Sequence, residues 1–249
     1  MHYFVTGHTG FKGAWLTLML NSLGHEVSGL ALDPEPGALF EVAEVSELLR
    51  YDTRGDIRDA GAVLGALSVA QPDVVIHMAA QALVRESYTN PRLTVETNVM
   101  GTYNVLEAVA QTPSVRGQVV VTTDKVYRNV NRVDGYVETD ALGGHDPYSA
   151  SKAMADLLVQ SWSSSFGGCP TAIARAGNVI GGGDVSTNRL LPDLLASFAE
   201  GRATEIRFPE AVRPWQHVLD CLSGYILLSE SVVAGRASGE WNFGPGKDS

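Results

Sequence analysis

Thr6-Gly7-His8-Thr9-Gly10-Phe11-Lys12-Gly13 stands between a short apolar run, Tyr3–Thr6, and a segment of helical period, Lys12–Leu23. Gly7, Gly10 and Gly13 thus repeat every third residue where a strand turns into a helix. That placement suits a tight turn, close approach of backbone to a pyrophosphate, and an anion held at the helix N-terminus. The wider Walker spacing and its Gly-Lys-Ser/Thr ending are absent. The stretch therefore predicts a dinucleotide site at the first strand–helix junction of an α/β chain.

Outward from this loop, short apolar runs alternate with longer segments of helical period, the pattern of βαβ units in a mostly parallel sheet. Strands are predicted at Tyr3–Thr6, Glu26–Leu30, Asp73–His77, Gln118–Thr122 and Thr171–Ala174. Helices are predicted at Lys12–Leu23, Ala60–Ala70, Leu93–Gln111 and Pro147–Phe166, the last with Pro147 in its first turn and Asp146 or His145 before it as the capping neighbour. After Asn178 the texture changes to a glycine loop, a helix near Leu191–Glu200, a strand near Glu205–Phe208 and a helix near Val218–Ala234. A boundary is placed at 178, giving a nucleotide-binding domain 1–178 and a small lobe 179–249 packed on it as the wall of a cleft.

The 249 residues carry 28 acidic against 18 basic side chains, a formal charge of −10, which works against nucleic acid or an acidic membrane surface as partner. With 45% apolar residues and a mean hydropathy of +0.02 the composition is that of an ordinary globular protein. No apolar run approaches the ~18 residues a membrane span needs, and the N-terminus lacks a charged leader, so a cytoplasmic protein is expected. Cys169 and Cys221 stand far apart in the chain, outside any disulfide or zinc spacing, and no metal site is predicted.

Asp33 follows the second strand and is the candidate acid for a ribose 2′-hydroxyl, although Asp33-Pro34 is equally an ordinary turn dipeptide. No Arg or Lys lies in Gly29–Pro36 to receive a 2′-phosphate, which favours NAD over NADP. Tyr148 and Lys152 share one helix face a turn apart. An ammonium beside a phenol lowers its pKa toward neutrality, as a tyrosine base requires.

The glycine loop followed by Tyr148-Ser149-Ala150-Ser151-Lys152 resembles the extended short-chain dehydrogenase/reductase superfamily. The resemblance implies a Rossmann-type doubly wound parallel sheet, bound NAD, and a homodimer or higher homo-oligomer. It also implies that Asp56 and Ile57 flank adenine, that Phe11 joins the glycines, and that Ala79, Ala80 and Gln81 line the cofactor. Thr97-Asn98-Val99-Met100-Gly101-Thr102 resembles a helix carrying a structural Asn.

Thr122-Thr123-Asp124-Lys125 closes the fifth strand and resembles the Thr-acid-base triplet of nucleotide-sugar 4,6-dehydratases. Lys in the last place is similar to the CDP-glucose and the inverting UDP-N-acetylglucosamine families. His8–Trp15, Gly143–Tyr148, Gly177–Asp184 and Val212–Val218 look like the CDP-glucose family. The implied catalytic set is Thr123, Asp124, Lys125, Tyr148 and Lys152, with Asn178, Arg189 and Arg213 anchoring a nucleotide sugar. A UDP-N-acetylglucosamine dehydratase, an epimerase and a non-catalytic NAD-binding chain stay open as alternatives. The family's substrate lobe continues past Trp241-Asn242-Phe243-Gly244-Pro245, so the C-terminal lobe is expected to be truncated.

Overall fold

The computed structural model describes residues 1–246 apart from 133, 187, 188, 205, 207 and 208. The expected strand at Glu205–Phe208 falls largely outside the described residues. The first half runs β1 (His2–Thr6), α1 (Phe11–Ser22), β2 (Glu26–Ala31), α2 (Leu39–Val42), β3 (Leu49–Arg54), α3 (Ala60–Ala70), β4 (Val74–His77), α4 (Val84–Thr89), α5 (Pro91–Val95) and α6 (Gly101–Ala110). The second runs β5 (Gly117–Val121), α7 (Pro147–Phe166), β6 (Thr171–Ala176), β7 (Asn178–Ile180), α8 (Leu190–Ala199), β8 (Trp215–His217), α9 (Val218–Val233) and β9 (Gly239–Phe243).

Seven strands form one parallel sheet in the order β3-β2-β1-β4-β5-β6-β9. β1, β4, β5 and β6 are apolar almost throughout because helices cover both faces of the sheet. On one face Tyr3, Val5, Ile76 and Val119 meet Leu16 and Leu20 of α1 and Leu222 and Tyr225 of α9. On the other, Phe4, Leu30 and Val75 meet Val63 and Leu67 of α3 and Val105 of α6, while Val120 and Ile173 meet Val159 of α7. This is the doubly wound α/β architecture expected from the sequence.

Three differences bear on the site. The helix expected at Leu93–Gln111 is α5 and α6 joined by a π turn at Glu96–Met100, which turns Asn98 inward. β3 went unread because its Leu-Arg-Tyr-Asp-Thr-Arg is a mostly exposed, charged edge strand without an apolar face. Beyond residue 178, α9 lines the main core and β9 pairs with β6, so the two segments share one hydrophobic core. What lies apart from the main sheet is the β7–β8 pair, with α8 between its strands in sequence.

Candidate active site

The glycine loop leaves the C-terminal end of β1 at the centre of the sheet, where a doubly wound fold opens its crevice. Gly7 has φ +76°, and a Cβ there would lie 2.9 Å from the backbone of Ala79, so loop and β4 crossing touch only because Gly7 lacks a side chain. A Cβ on Gly13 would overlap the Gly7 carbonyl and sit 2.6 Å from the His8 Cα. Gly10 is the N-cap of α1 and offers no side-chain cap, which leaves the first-turn N–H groups to an anion. These glycines therefore form a backbone cradle fitted to a pyrophosphate, with Phe11 opening the helix behind it.

Around the cradle, the Thr6 hydroxyl accepts from the Met78 and Ala79 N–H groups at 3.1 and 3.2 Å. Asn98 accepts from the Gln81 N–H at 2.8 Å and donates to the Gln81 carbonyl at 3.0 Å and the Ser151 hydroxyl at 2.8 Å. The segment of Ala79, Ala80 and Gln81 is thereby held between the glycine loop and α7. The Gln81 amide itself turns to Thr94, at 2.8 Å. Ile57 is buried under Gly101, and its carbonyl accepts from Asn104. The Asp56 carboxylate is gripped by Arg58, at 2.6 and 2.9 Å, and that hydrogen bond holds its pKa below the usual range. Asp33 projects into solvent after β2. Arg54, brought alongside by β3, lies 3.9 Å from Asp33 and 2.7 Å from Asp52. The absence of a base between Gly29 and Pro36 thus does not leave this corner without a cation.

Opposite the cradle, Asp146 caps α7 by accepting from the Ser149 N–H at 2.9 Å, and Pro147 takes the first position. The first turn of α7 then carries Tyr148 to the end of β5. There Thr123 caps a 3-10 turn over Asp124–Val126, and its hydroxyl donates to Asp124 at 3.0 Å. Thr123 lies near enough to Tyr148 to pull its pKa down, and the Lys125 ammonium stands 5.8 Å from the Tyr148 ring centroid. Thr123, Asp124, Lys125 and Tyr148 therefore converge.

Electrostatics in this cluster are set by burial. Desolvation raises the Asp124 pKa against the opposing pull of Thr123, Lys125 and Arg213. It lowers that of Lys125, with Asp124 resisting and Arg213 assisting. The neighbouring acid and base are drawn toward each other, as proton-transfer groups in a cleft are. Tyr148 is pushed up to about 12 by burial, offset in part by Thr123 and by the charge of Arg189.

Lys152 lies below this cluster, with its pKa lowered to about 8 by burial and by the charge of Lys12. Lys12 is half-buried, its pKa lowered by desolvation, and it donates to the Tyr225 hydroxyl at 3.2 Å. Arg189 is tied to Asp184 at 3.2 Å, and Asn178 begins β7. Arg213 and Arg189 reach the site as charges, both acting on Lys125. Asp156 and Arg175, which stand outside the motifs, pair beneath the site. Asp156 could have been found by extending the Tyr148–Lys152 spacing one more turn along α7.

The profile of the "NAD dependent epimerase/dehydratase family" matches residues 3–244. The chain is 46% identical to the CDP-glucose 4,6-dehydratase of Salmonella typhimurium (strain LT2) over 97% of this chain and 70% of that protein. It is 31% identical to the dTDP-glucose 4,6-dehydratase of Shigella flexneri over 98% of this chain and 72% of the other. Among solved structures, DesIV, a dTDP-glucose 4,6-dehydratase from Streptomyces venezuelae with NAD and TYD bound, superposes with a TM-score of 0.87 at 29% identity. That match covers 99% of this chain and 76% of DesIV. With a fold, a glycine cradle and a full-length profile in common, the chain belongs to the NAD dependent epimerase/dehydratase family.

Proposed function

We propose that this protein is an NAD-dependent nucleotide-sugar 4,6-dehydratase whose substrate is CDP-glucose. The observation that carries the reading is the pairing of Asp124 and Lys125, an acid and a base with pKa values drawn together, beside Tyr148 at the mouth of β5. An enzyme that only oxidised and reduced C4 would need no such pair.

The glycine cradle and the uncapped start of α1 fit a dinucleotide, with Gly7, Gly10, Gly13 and Phe11 at the pyrophosphate, Asp33 and Asp56 toward the adenosine, and Ala79 to Gln81 lining the middle. Bound NAD supplies the acceptor that takes hydride from the sugar C4 and later returns it to C6. Tyr148 removes the 4-hydroxyl proton while Thr123 holds the same oxygen. The 4-ketone acidifies C5–H. Lys125 takes that proton, and protonated Asp124 donates to the departing 6-hydroxyl, which leaves as water. Return of hydride to C6, with a proton to C5, gives a 4-keto-6-deoxy sugar, and the sequence is redox-neutral. Arg213, Arg189 and Asn178 are assigned to the substrate's diphosphate, where a guanidinium can bind two oxygens at once.

The CDP preference is supported by the 46% identity to a CDP-glucose 4,6-dehydratase. The same reading makes the protein a cytoplasmic enzyme of deoxysugar and O-antigen supply, consistent with two free cysteines and with no described helix long and apolar enough to cross a membrane. A homodimer is supported by the exposed apolar side chains Tyr88, Met154, Leu157 and Phe166 on α4 and α7.

Incubation with CDP-glucose and NAD tests the proposal, with the alkali-induced absorbance of a 4-keto-6-deoxy sugar and the loss of water by mass as readouts. Asp124→Asn is expected to abolish dehydration while sparing C4 oxidation. Product from UDP- or dTDP-glucose but not CDP-glucose would overturn the base assignment, and epimerisation without loss of water would overturn the reaction.

A further inference from the structure

Behind the Asp124–Lys125 turn lies an ion pair that the reaction does not use. Asp156 and Arg175 are buried, with side chains 0% and 1% exposed, and meet through two parallel bonds, Nε to Oδ2 at 2.9 Å and Nη2 to Oδ1 at 2.7 Å. Bringing two charges into a core costs more than their attraction returns unless the surrounding lone pairs and protons are satisfied. Here the remaining valences are satisfied, and two of them reach the end of β5.

On the front side, Asp156 Oδ2 accepts from the Thr122 hydroxyl at 3.0 Å, and Thr122 immediately precedes the cap of the catalytic turn. On the back side, Arg175 Nη1 donates at 2.9 Å to the hydroxyl of Tyr127, the residue that closes that turn. The same Nη1 donates to the Glu138 carbonyl at 2.9 Å, and the Tyr127 hydroxyl donates to Asn242 of β9 at 2.6 Å. Thr122 and Tyr127 thus bracket the four residues Thr123 to Val126, and one carboxylate–guanidinium unit holds both brackets. Gln160, one turn along α7, completes the carboxylate at 2.8 Å. The turn holds itself weakly: its internal backbone bonds, Val126 N–H to the Thr123 carbonyl and Tyr127 N–H to the Asp124 carbonyl, are long at 3.3 and 3.5 Å. From outside, the Gly143 N–H donates to the Val126 carbonyl at 2.8 Å, Val126 packs on Ala153, and Tyr127 stacks on Tyr136.

We infer that the Asp156–Arg175 pair is a positioning device for the elimination half of the reaction, holding Asp124 and Lys125 in register with the sugar through Thr122 and Tyr127. The inference rests on the dehydratase reading for the name of the step it serves. Neither charged residue touches substrate. Asp156 lies on α7 and Arg175 on β6, so the pair ties the two elements flanking β5 to the loop that leaves it. Tyr148 gets its place from the Asp146 cap of α7, not from this pair. Loosening the clamp should therefore misplace the acid and base while leaving on its helix the base that oxidation of C4 needs, Tyr148; Thr123, which shares the turn, gives that step only a hydrogen bond. Small displacements of that kind are expensive, up to about a hundredfold in rate for about an ångström.

The test uses Thr122→Val and Tyr127→Phe in the full chain, each deleting one hydroxyl while the ion pair stays intact. With CDP-glucose and NAD, the near-ultraviolet absorbance of reduced nicotinamide reads C4 oxidation, and the alkali-induced absorbance of the keto sugar reads elimination. Each variant is expected to slow elimination at least about tenfold more than oxidation, the smaller loss in oxidation being the hydrogen bond from Thr123, so that reduced cofactor accumulates. A merely structural role would lower both signals together, and that result, or no change in either, overturns the inference. A second readout needs no turnover: the pH dependence of Lys125 labelling by an amine reagent, followed by peptide mass, is expected to shift in both variants. If the unaltered protein shows neither oxidation nor elimination with any sugar nucleotide, the dehydratase reading fails, and unchanged Lys125 labelling then overturns the positioning claim separately. Should one variant melt early, the other carries the test alone.

Discussion

The Lys152 ammonium donates at 2.8 Å to the Val121 carbonyl, although Tyr148 stands one helical turn before it on α7. Four-residue spacing puts the two side chains on one face, yet the amine reaches down to the strand and not up to the phenol. The expectation that Lys152 pulls the Tyr148 pKa toward neutrality is therefore not met in this structure. Burial raises the phenol to about 12 and lowers the amine to about 8. For Tyr148 to act as a base, positive charge must come closer to its hydroxyl than Lys152 now stands.

A pH-dependent stability difference follows from the same lysine. Its folded pKa of about 8 lies below the ordinary 10.5, so between those values the unfolded chain binds more protons and stability rises with pH. The penalty is fully present below about pH 8 and is relieved as pH approaches the ordinary value. Lys152→Met removes it, so the variant's stability relative to the unaltered protein should be highest at neutral pH and fall by up to about 3 kcal/mol on going to alkaline pH. Denaturant unfolding of both proteins at neutral and alkaline pH measures this. A difference independent of pH would show that Lys152 is not held under a desolvation penalty.

Arg213 acts on both members of the acid–base pair in the same sense, lowering Asp124 and lowering Lys125. Arg213→Gln should therefore move both limbs of the kcat/KM profile to higher pH, since that profile reports the free enzyme. KM should rise as well if the guanidinium binds the diphosphate. A profile that narrows or widens without translating would mean that the limbs belong to other groups.

The glycines of the first loop separate fold from binding. Gly13→Ala drives a Cβ against the Gly7 carbonyl and the His8 Cα, backbone atoms that cannot swing away, and should cost about 1–3 kcal/mol or more of stability. At Gly10 a Cβ meets only the Gly7 carbonyl, at 3.4 Å. Gly10→Ala should melt close to the unaltered protein and yet bind NAD at least about tenfold more weakly, because the methyl group occupies the approach to the helix N-terminus. Calorimetric titration and thermal melts check the pair. Equal NAD affinity in Gly10→Ala would remove the pyrophosphate from this turn.

What could be read in the sequence follows from burial. β1, β4, β5 and β6 are wrapped on both faces, so each needs an unbroken apolar run, and such runs stand out. β3 and β9 are edges: Leu-Arg-Tyr-Asp-Thr-Arg and Gly-Glu-Trp-Asn-Phe keep one side to water and carry no run to find. The residues that converge at the mouth of β5 could be named because they sit in short contiguous motifs, Thr122 to Lys125 and Tyr148 to Lys152. Asp156 continues the second motif by one helical turn, but its partners Arg175 and Tyr127 could not be named, because the partnership is made across α7, β6 and a turn, at sequence separations of 19 and 48. Lys152 shows the limit of spacing: it sets which face a side chain occupies, and the neighbouring strand decides where its amine goes.

Arg54 illustrates the same limit. A search for a basic residue within Gly29–Pro36 looks along β2, but β3 pairs with β2 in parallel and sets Arg54 opposite Ala31, two residues before Asp33. The guanidinium is held by Asp52 at 2.7 Å, with Asp33 at 3.9 Å and the Phe40 ring 4.9 Å away. We propose that preference for NAD over its 2′-phosphorylated form rests on Asp33 repelling the extra phosphate while Arg54 stays occupied by carboxylates. Asp33→Ser removes the repulsion and one of the two carboxylates near the arginine. The ratio of NADP to NAD affinity should rise by about tenfold, ~1.4 kcal/mol, and Asp33→Ser/Arg54→Ala should lose that gain. Titration of the three proteins with both dinucleotides decides it: a gain that survives removal of Arg54 would leave Asp33 as the sole determinant, and no gain at all would take Asp33 out of the ribose site.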